Sequence, residues 1–207
     1  MAPADCGTWA RTAASWVLSN RSISLVLLAL AAVPAPLPAT ASDALWQTLQ
    51  AGGHVVLVRH ATTDPGIGDP PGFRLNDCAT QRNLSDAGRT EARRLGAAFR
   101  KRGIPVSAVR SSRWCRCLET ARLAFGKADP WPALDNTFET PELRTAQMRK
   151  LREGLAKPPV NGNLVLVTHG VNIAALTGVH VAQGEMVVVN VARNNDFRVI
   201  GRLLPAD

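Results

Sequence analysis

Three stretches of this chain repeat one pattern: an apolar, β-branched run that ends on a polar or charged residue and gives way to helical spacing. The first, 54–58, holds Val55, Val56, Leu57 and Val58 and runs into Arg59 and His60. The second, 105–109, is weaker and runs into Arg110, Ser111 and Ser112. The third, 164–167, holds Leu164, Val165, Leu166 and Val167 and runs into Thr168, His169 and Gly170. Runs that are apolar at every position, rather than alternating, belong to strands covered on both faces. The expected fold is therefore α/β, a three-layer sandwich with a mostly parallel central sheet and helices on both faces. Ligands of such sheets gather beyond the carboxyl ends of the strands, so the three polar tips are expected to share one crevice.

Helical spacing fills the intervals. Ser85 reads as an N-cap, and Ala87, Ala92, Leu95, Ala98 and Phe99 form an apolar face closed by Gly103 and Pro105. Further helices are expected over 114–125, 141–155 and 171–176. Segments 185–191 and 197–203 read as two strands joined through Asn194, Asn195 and Asp196, a hairpin at a sheet edge. Two irregular stretches remain, 62–81 and 127–140, and loops of that length in a compact domain are usually functional. They are the candidates for substrate selection.

Residues 1–41 read as a signal peptide and 42–207 as one globular domain. Arg11 and Arg21 precede an apolar run over 23–33, which passes through Pro34, Pro36 and Pro38 to an Ala39-Thr40-Ala41 cleavage site. The charged stretch before the run is long for a leader, which puts the expected translation start near Val17. A membrane anchor is the rival, but the run has about 11 residues where a spanning helix needs roughly 20. The expectation is a periplasmic or secreted protein with no stable membrane insertion after cleavage. Without Arg11, Arg21 and Asp5 the remainder carries a net charge of +7, which favours anionic partners. Aromatics are only 5%, too few for the stacking platform of a single-strand binder, so nucleic acid is not expected. Cys78, Cys115 and Cys117 remain after the leader. In an oxidising compartment Cys78 is expected to pair with Cys115, since Cys115 and Cys117 point in different directions at a helix start. The alternative is that all three are small buried hydrophobes. Neither the cysteines nor the four His fall at zinc-ligand spacing, so no metal site is expected.

A strand tip made of Arg and His suits phosphoryl chemistry. Neutral imidazole attacks phosphorus when its other ring nitrogen is held by an acceptor. Arginine forks bind phosphate oxygens in two-point fashion and neutralise the charge that develops. A second His at another tip adds a donor opposite the nucleophile.

These residues resemble the histidine phosphatase superfamily, the group that includes phosphoglycerate mutases, phosphohistidine phosphatases and acid phosphatases. The segment from Leu57 through Arg59, His60 and Ala61 resembles its Arg-His-Gly signature. The block from Ser112 through Arg116 to Thr120 and Ala121 is similar to its Ser-Pro-x-x-Arg-x-x-x-Thr-Ala segment, and Thr168-His169-Gly170 to its second histidine. Asn83, Leu84, Ser85 and Gly88 resemble the opening of its first long helix, and the order of motifs agrees over 54–190. The resemblance implies a phosphoglycerate mutase-like fold and a phosphohistidine intermediate on His60, with Arg59, Arg116 and His169 as the phosphate pocket. It implies no metal or organic cofactor. Thr63 and Asn83, with Arg82 beside them, are further substrate contacts on this reading, or else loop polar groups bonded to their own backbone. Ala61 and Arg113 depart from the family's Gly and Pro. Asp135, Glu139, Glu142 and Glu185 are all open as the general acid, with solvated surface charge as the alternative for each. Export and the lack of a long insertion favour hydrolysis over mutase activity, on a phosphorylated small molecule or glycolipid. In look the chain is nearest to small exported members such as the lipopolysaccharide core heptose phosphate phosphatase. A phosphohistidine protein phosphatase and a catalytically idle phosphate-binding protein are the alternatives.

Overall fold

The computed structural model describes residues 41–157, 159–192 and 196–204. The leader read over 1–41 lies outside them, apart from Ala41, and so do two of the residues read as the turn of the final hairpin, Asn194 and Asn195. Ala41 opens the first helix, α1 (Ala41–Ala51), so the expected cleavage site abuts ordered structure.

The chain then runs through β1 (Val55–Arg59), α2 (Asp86–Lys101), β2 (Val106–Ser111), α3 (Cys115–Phe125) and a two-residue β3 (Asp129–Pro130). It continues with α4 (Arg144–Gly154), β4 (Asn163–Thr168), α5 (Gly170–Thr177), β5 (Met186–Val191) and β6 (Phe197–Leu203). The six strands form one sheet in the order β3-β2-β4-β1-β5-β6. Pairings among β1, β2, β3 and β4 are parallel, and β5 and β6 close one side antiparallel, as the hairpin reading expects.

The apolar runs bury both faces of the sheet. Val56 and Val58 of β1 face a core shared with Leu45, Trp46 and Leu49 of α1, Leu95 and Phe99 of α2, and Cys117 and Ala121 of α3. Val55 and Leu57 face the opposite core, with Met148 and Leu151 of α4 and Ile173 and Leu176 of α5. The three layers follow from that alternation. The expected first helix begins as read, with the Ser85 hydroxyl accepting from the Gly88 amide. Gly88 is required there, because a Cβ would lie 1.8 Å from the Thr62 carbonyl oxygen. That close approach docks the loop after β1 onto the start of α2 and places the irregular stretch over the strand tips. The helix expected over 141–155 divides into a short 3-10 turn, Pro141–Leu143, and α4.

Candidate active site

The register of the parallel strands brings the tips together. Arg59 pairs with Thr168, the His60 amide donates to the Thr168 carbonyl at 3.0 Å, and the Ser112 amide donates to the Val167 carbonyl at 2.9 Å. His60 and His169 therefore end neighbouring strands, and their ring centroids lie 5.5 Å apart with planes at 64°. Both open onto a cavity of about 650 Å³ that Arg59, Arg82 and Arg116 also line.

His60 is buried, and its Nδ1 lies 2.9 Å from the Ala61 carbonyl oxygen. Nδ1 must carry the proton to donate to that acceptor, which leaves the Nε2 lone pair free. The carbonyl is itself fixed, since the Ala61 amide donates to Thr120 Oγ1 at 3.1 Å and Thr120 in turn donates to the Arg116 carbonyl. Alanine thus serves where the family's glycine stands, and its methyl is buried without disturbing the contact. Burial lowers the His60 pKa to about 3; the Ala61 carbonyl opposes this, and Arg116, Arg59 and Arg82 add to it. His60 is neutral at any ordinary pH, the state a nucleophile requires.

His169 sits at the N-terminus of α5 with Nε2 engaged by Ser112 Oγ at 2.9 Å and close to Cys117 Sγ at 3.5 Å. Burial is the largest cause holding its pKa well below the usual histidine value, followed by His60 and the three arginines. Ser112 connects onward to Asp135 Oδ1 at 3.4 Å, and Asp135 accepts from the Arg113 amide at 2.9 Å and from Arg113 Nε at 2.8 Å. Burial followed by the neighbouring guanidiniums also lowers the pKa of Arg59, and burial followed by Arg116 that of Arg82; both guanidiniums stay charged.

Each of the three arginines is held by part of its fork. Arg59 Nη1 donates to the Val181 carbonyl and Arg82 Nη1 to the Gly66 carbonyl, both at 2.7 Å. Arg116 donates from Nη1 and Nη2 to Asp69 at 2.7 and 3.2 Å, with both side chains at 2% exposure or less. The Nε groups of Arg59, Arg82 and Arg116 are buried and have no partner. Arg59, Arg82 and Arg116 line the cavity beside the two imidazoles, a set of charged donors with the chemistry to hold a tetrahedral oxyanion.

The other residues singled out in the sequence are placed elsewhere. Thr63 is buried against Gln183, accepting on Oγ1 from Nε2 at 3.1 Å and donating its amide to Oε1 at 3.3 Å. Gln183 lines the cavity and Thr63 does not. The Asn83 side chain donates to the Cys78 carbonyl at 2.7 Å, away from the cavity. Asp135 is engaged by Arg113 and Ser112, and Glu185 accepts from the Ala182 amide at 2.7 Å and from Arg202 Nε at 2.5 Å. Glu139 and Glu142 are exposed. None of these four carboxylates borders the cavity; from that irregular segment Asn136 and Phe138 do. Among the described residues no cluster of three or more His, Cys, Asp or Glu is disposed to hold a metal ion. Cys78 and Cys115 form a disulfide, the expected pairing, which ties the loop carrying Asp69 and Arg82 to the residue beside Arg116. Cys117 stays free, and burial pushes its thiol up to about 12.

Residues 55–137 match the family model for the histidine phosphatase superfamily, branch 1, a span that holds His60, Arg59, Arg82 and Arg116. Over that span the chain is similar to the histidine phosphatase superfamily. Solved structures of other proteins share its fold. A mycobacterial glucosyl-3-phosphoglycerate phosphatase with inorganic phosphate is 16% identical with a TM-score of 0.54, over 74% of this chain and 99% of that one. The protein histidine phosphatase SixA complexed with tungstate is 14% identical with a TM-score of 0.50, over 74% and 97%. A phosphoserine phosphatase from Entamoeba histolytica in complex with 3-phosphoglyceric acid is 13% identical with a TM-score of 0.50, over 72% and 95%. No curated protein matches the sequence.

Asp69 and Gln183 were not singled out in the sequence, because each acts from a loop without a periodic pattern around it. Ser112 lies within a superfamily motif, and that position was the signal for its contact with His169.

Proposed function

We propose that this protein is an exported phosphohydrolase in which His60 Nε2 accepts the phosphoryl group and passes it to water. The observation that carries the reading is the pairing of a neutral imidazole, anchored through Nδ1 on the Ala61 carbonyl, with three arginines that line the same cavity. The substrate's phosphoryl oxygens are held by the guanidiniums of these arginines. Nε2 attacks phosphorus as the bond to the leaving group breaks, and the positive charge on the phosphorylated ring is stabilised through Nδ1–H by Ala61. Water then attacks phosphorus, the N–P bond breaks, and the products are inorganic phosphate and the dephosphorylated substrate.

The substrate is a phosphorylated small molecule or glycolipid. A second reading, dephosphorylation of phosphohistidine in a protein, is favoured by one observation: among the described residues no carboxylate lines the cavity. An alkoxide needs a proton as it departs, whereas an imidazole leaves more readily. Export rests on the basic and apolar pattern of 1–41, and a disulfide beside the cavity suits an oxidising compartment.

The test is turnover of p-nitrophenyl phosphate by the protein and by His60→Ala, with rapid quenching on labelled substrate. The expected result is an acid-labile, base-stable phosphoprotein that disappears with His60. Equal rates for both proteins, or label on Ser or Asp, overturns the reading; binding of phosphate without turnover by either identifies an idle anion-binding protein.

A further inference from the structure

The cavity carries more positive charge than one phosphoryl group needs. Its volume is about 650 Å³, whereas a phosphate takes on the order of a few water volumes of about 30 Å³ each. Arg59, Arg82, Arg116 and Arg144 line it, and among the described residues no Asp or Glu does, although Glu139 Oε1 lies beside Gly68, which does. Asp69 neutralises Arg116 from behind, and Arg59 and Arg82 together balance a phosphoryl dianion. Arg144 is left over.

Arg144 comes from the first residue of α4 rather than from a strand tip. Its guanidinium is positioned by Thr137, with Nε donating to Oγ1 at 3.2 Å and Nη2 to the carbonyl at 3.0 Å. Thr137 is buried and donates to Asn172 Oδ1 at 3.2 Å, so the anchor is rigid. Among the described residues no carboxylate pairs with Arg144. A cation fixed by neutral partners, on a cavity whose described lining residues include no acid, has its field directed at whatever enters. Phe138, Val171, Ala174 and Val181 give the same cavity an apolar wall.

We propose that Arg144 is a second anion site of this cavity, selecting substrates in which a short apolar or neutral spacer joins the phosphoryl group to a carboxylate or similar acid group. This rests on the phosphohydrolase reading and narrows its substrate class. Phosphate esters with an uncharged remainder fill the cradle but leave Arg144 facing only solvent.

Calorimetry with non-hydrolysable phosphonates tests it apart from turnover. The probes are ω-phosphonoalkanoic acids of increasing length and alkylphosphonates matched in length, against the full chain and its Arg144→Gln and Arg144→Lys variants. At one spacer length the carboxylated probe is expected to bind roughly tenfold tighter than its partner, the yield of one charge-assisted contact. Arg144→Gln collapses that ratio toward one, and Arg144→Lys retains part of it. A ratio near one at every length, or a preference that survives Arg144→Gln, overturns the assignment while leaving the phosphohydrolase reading intact. Failure of every phosphonate to bind the parent protein, together with no turnover of p-nitrophenyl phosphate, overturns both.

Discussion

Replacing Asp69 by asparagine removes one negative charge behind the phosphoryl site and changes almost nothing in shape. The carboxylate accepts four bonds: two from the Arg116 fork, one from Trp114 Nε1 at 2.9 Å and one from the Arg82 amide at 3.0 Å. Burial pushes the Asp69 carboxyl pKa up, but the Arg116 fork, Trp114 and the Arg82 amide outweigh it and hold the pKa below the usual carboxylate range. Removing one member of a buried ion pair leaves the other uncompensated, and the cost here is about 3 kcal/mol, the low end of the usual range because the amide oxygen still accepts a bond. In a domain of this size each kcal/mol moves the midpoint by about 2–4 °C, so Asp69→Asn is expected to melt about 6–12 °C lower. Inorganic phosphate reverses the loss, since it supplies Arg116 with the anion it lacks and no longer meets the repulsion of Asp69. A tenfold gain in phosphate affinity over the parent corresponds to about 1.4 kcal/mol of additional stabilisation at saturation. Thermal unfolding followed by circular dichroism, with and without phosphate, reads both effects. A variant that melts within 2 °C of the parent, or that phosphate protects no better, refutes the role of Asp69 as the counter-charge of Arg116.

The remaining predictions concern His60, Asp135 and the disulfide. His60 has a native pKa near 3 against 6.5 in the unfolded chain, so below pH 6.5 the unfolded state binds a proton that the native state refuses, and stability falls as pH drops toward 3. Between pH 7 and pH 5 this contributes about 2 kcal/mol of loss, which His60→Asn should abolish in urea titrations; identical pH dependence in both proteins contradicts the assignment. Asp135→Asn should lower kcat/KM by about tenfold and change the pH profile, because the hydrogen-bonded charge behind Ser112 and His169 is lost, with Asp135→Glu restoring part; an unaltered profile removes Asp135 from the site. Opening the Cys78–Cys115 bridge by Cys78→Ser should cost about 4 kcal/mol on the chain-entropy view of a 37-residue separation. Phosphate binding should weaken with it, and an unchanged urea midpoint and phosphate affinity would show that the bridge neither stabilises nor positions the loop.

The sheet was legible because its strands are buried on both faces, so they appear as unbroken apolar runs with no competing helical period. The tips were legible for the complementary reason: His60 and His169 are buried and Arg59 half-buried, where such side chains are otherwise rare. α1 escaped notice because it starts at the residue where the leader was expected to end, and its short apolar face, Leu45, Trp46 and Leu49, has meaning only against the sheet. Loop contributions were opaque for a different reason. Asp69 and Gln183 reach the site by way of turns whose course depends on the Gly88 approach to Thr62 and on the disulfide, neither of which leaves a periodic trace. Asn83 shows the converse, a polar residue inside a family-like motif whose side chain serves the loop backbone.

Arg113 fixes the position of Asp135. A proline at that position has neither an amide hydrogen nor a cationic fork. Arg113 supplies both to Asp135, holding the carboxylate under Ser112 and His169 rather than at the cavity wall, where the next residue, Asn136, stands instead. Asp135 is therefore held by Arg113 on the Ser112 side of the second histidine. There it favours a proton on His169 once a phosphoryl dianion offsets the three guanidiniums that, with burial, hold that ring neutral. On the phosphohydrolase reading we propose that proton transfer runs through His169 and Ser112, and that leaving groups departing with little protonation are processed fastest.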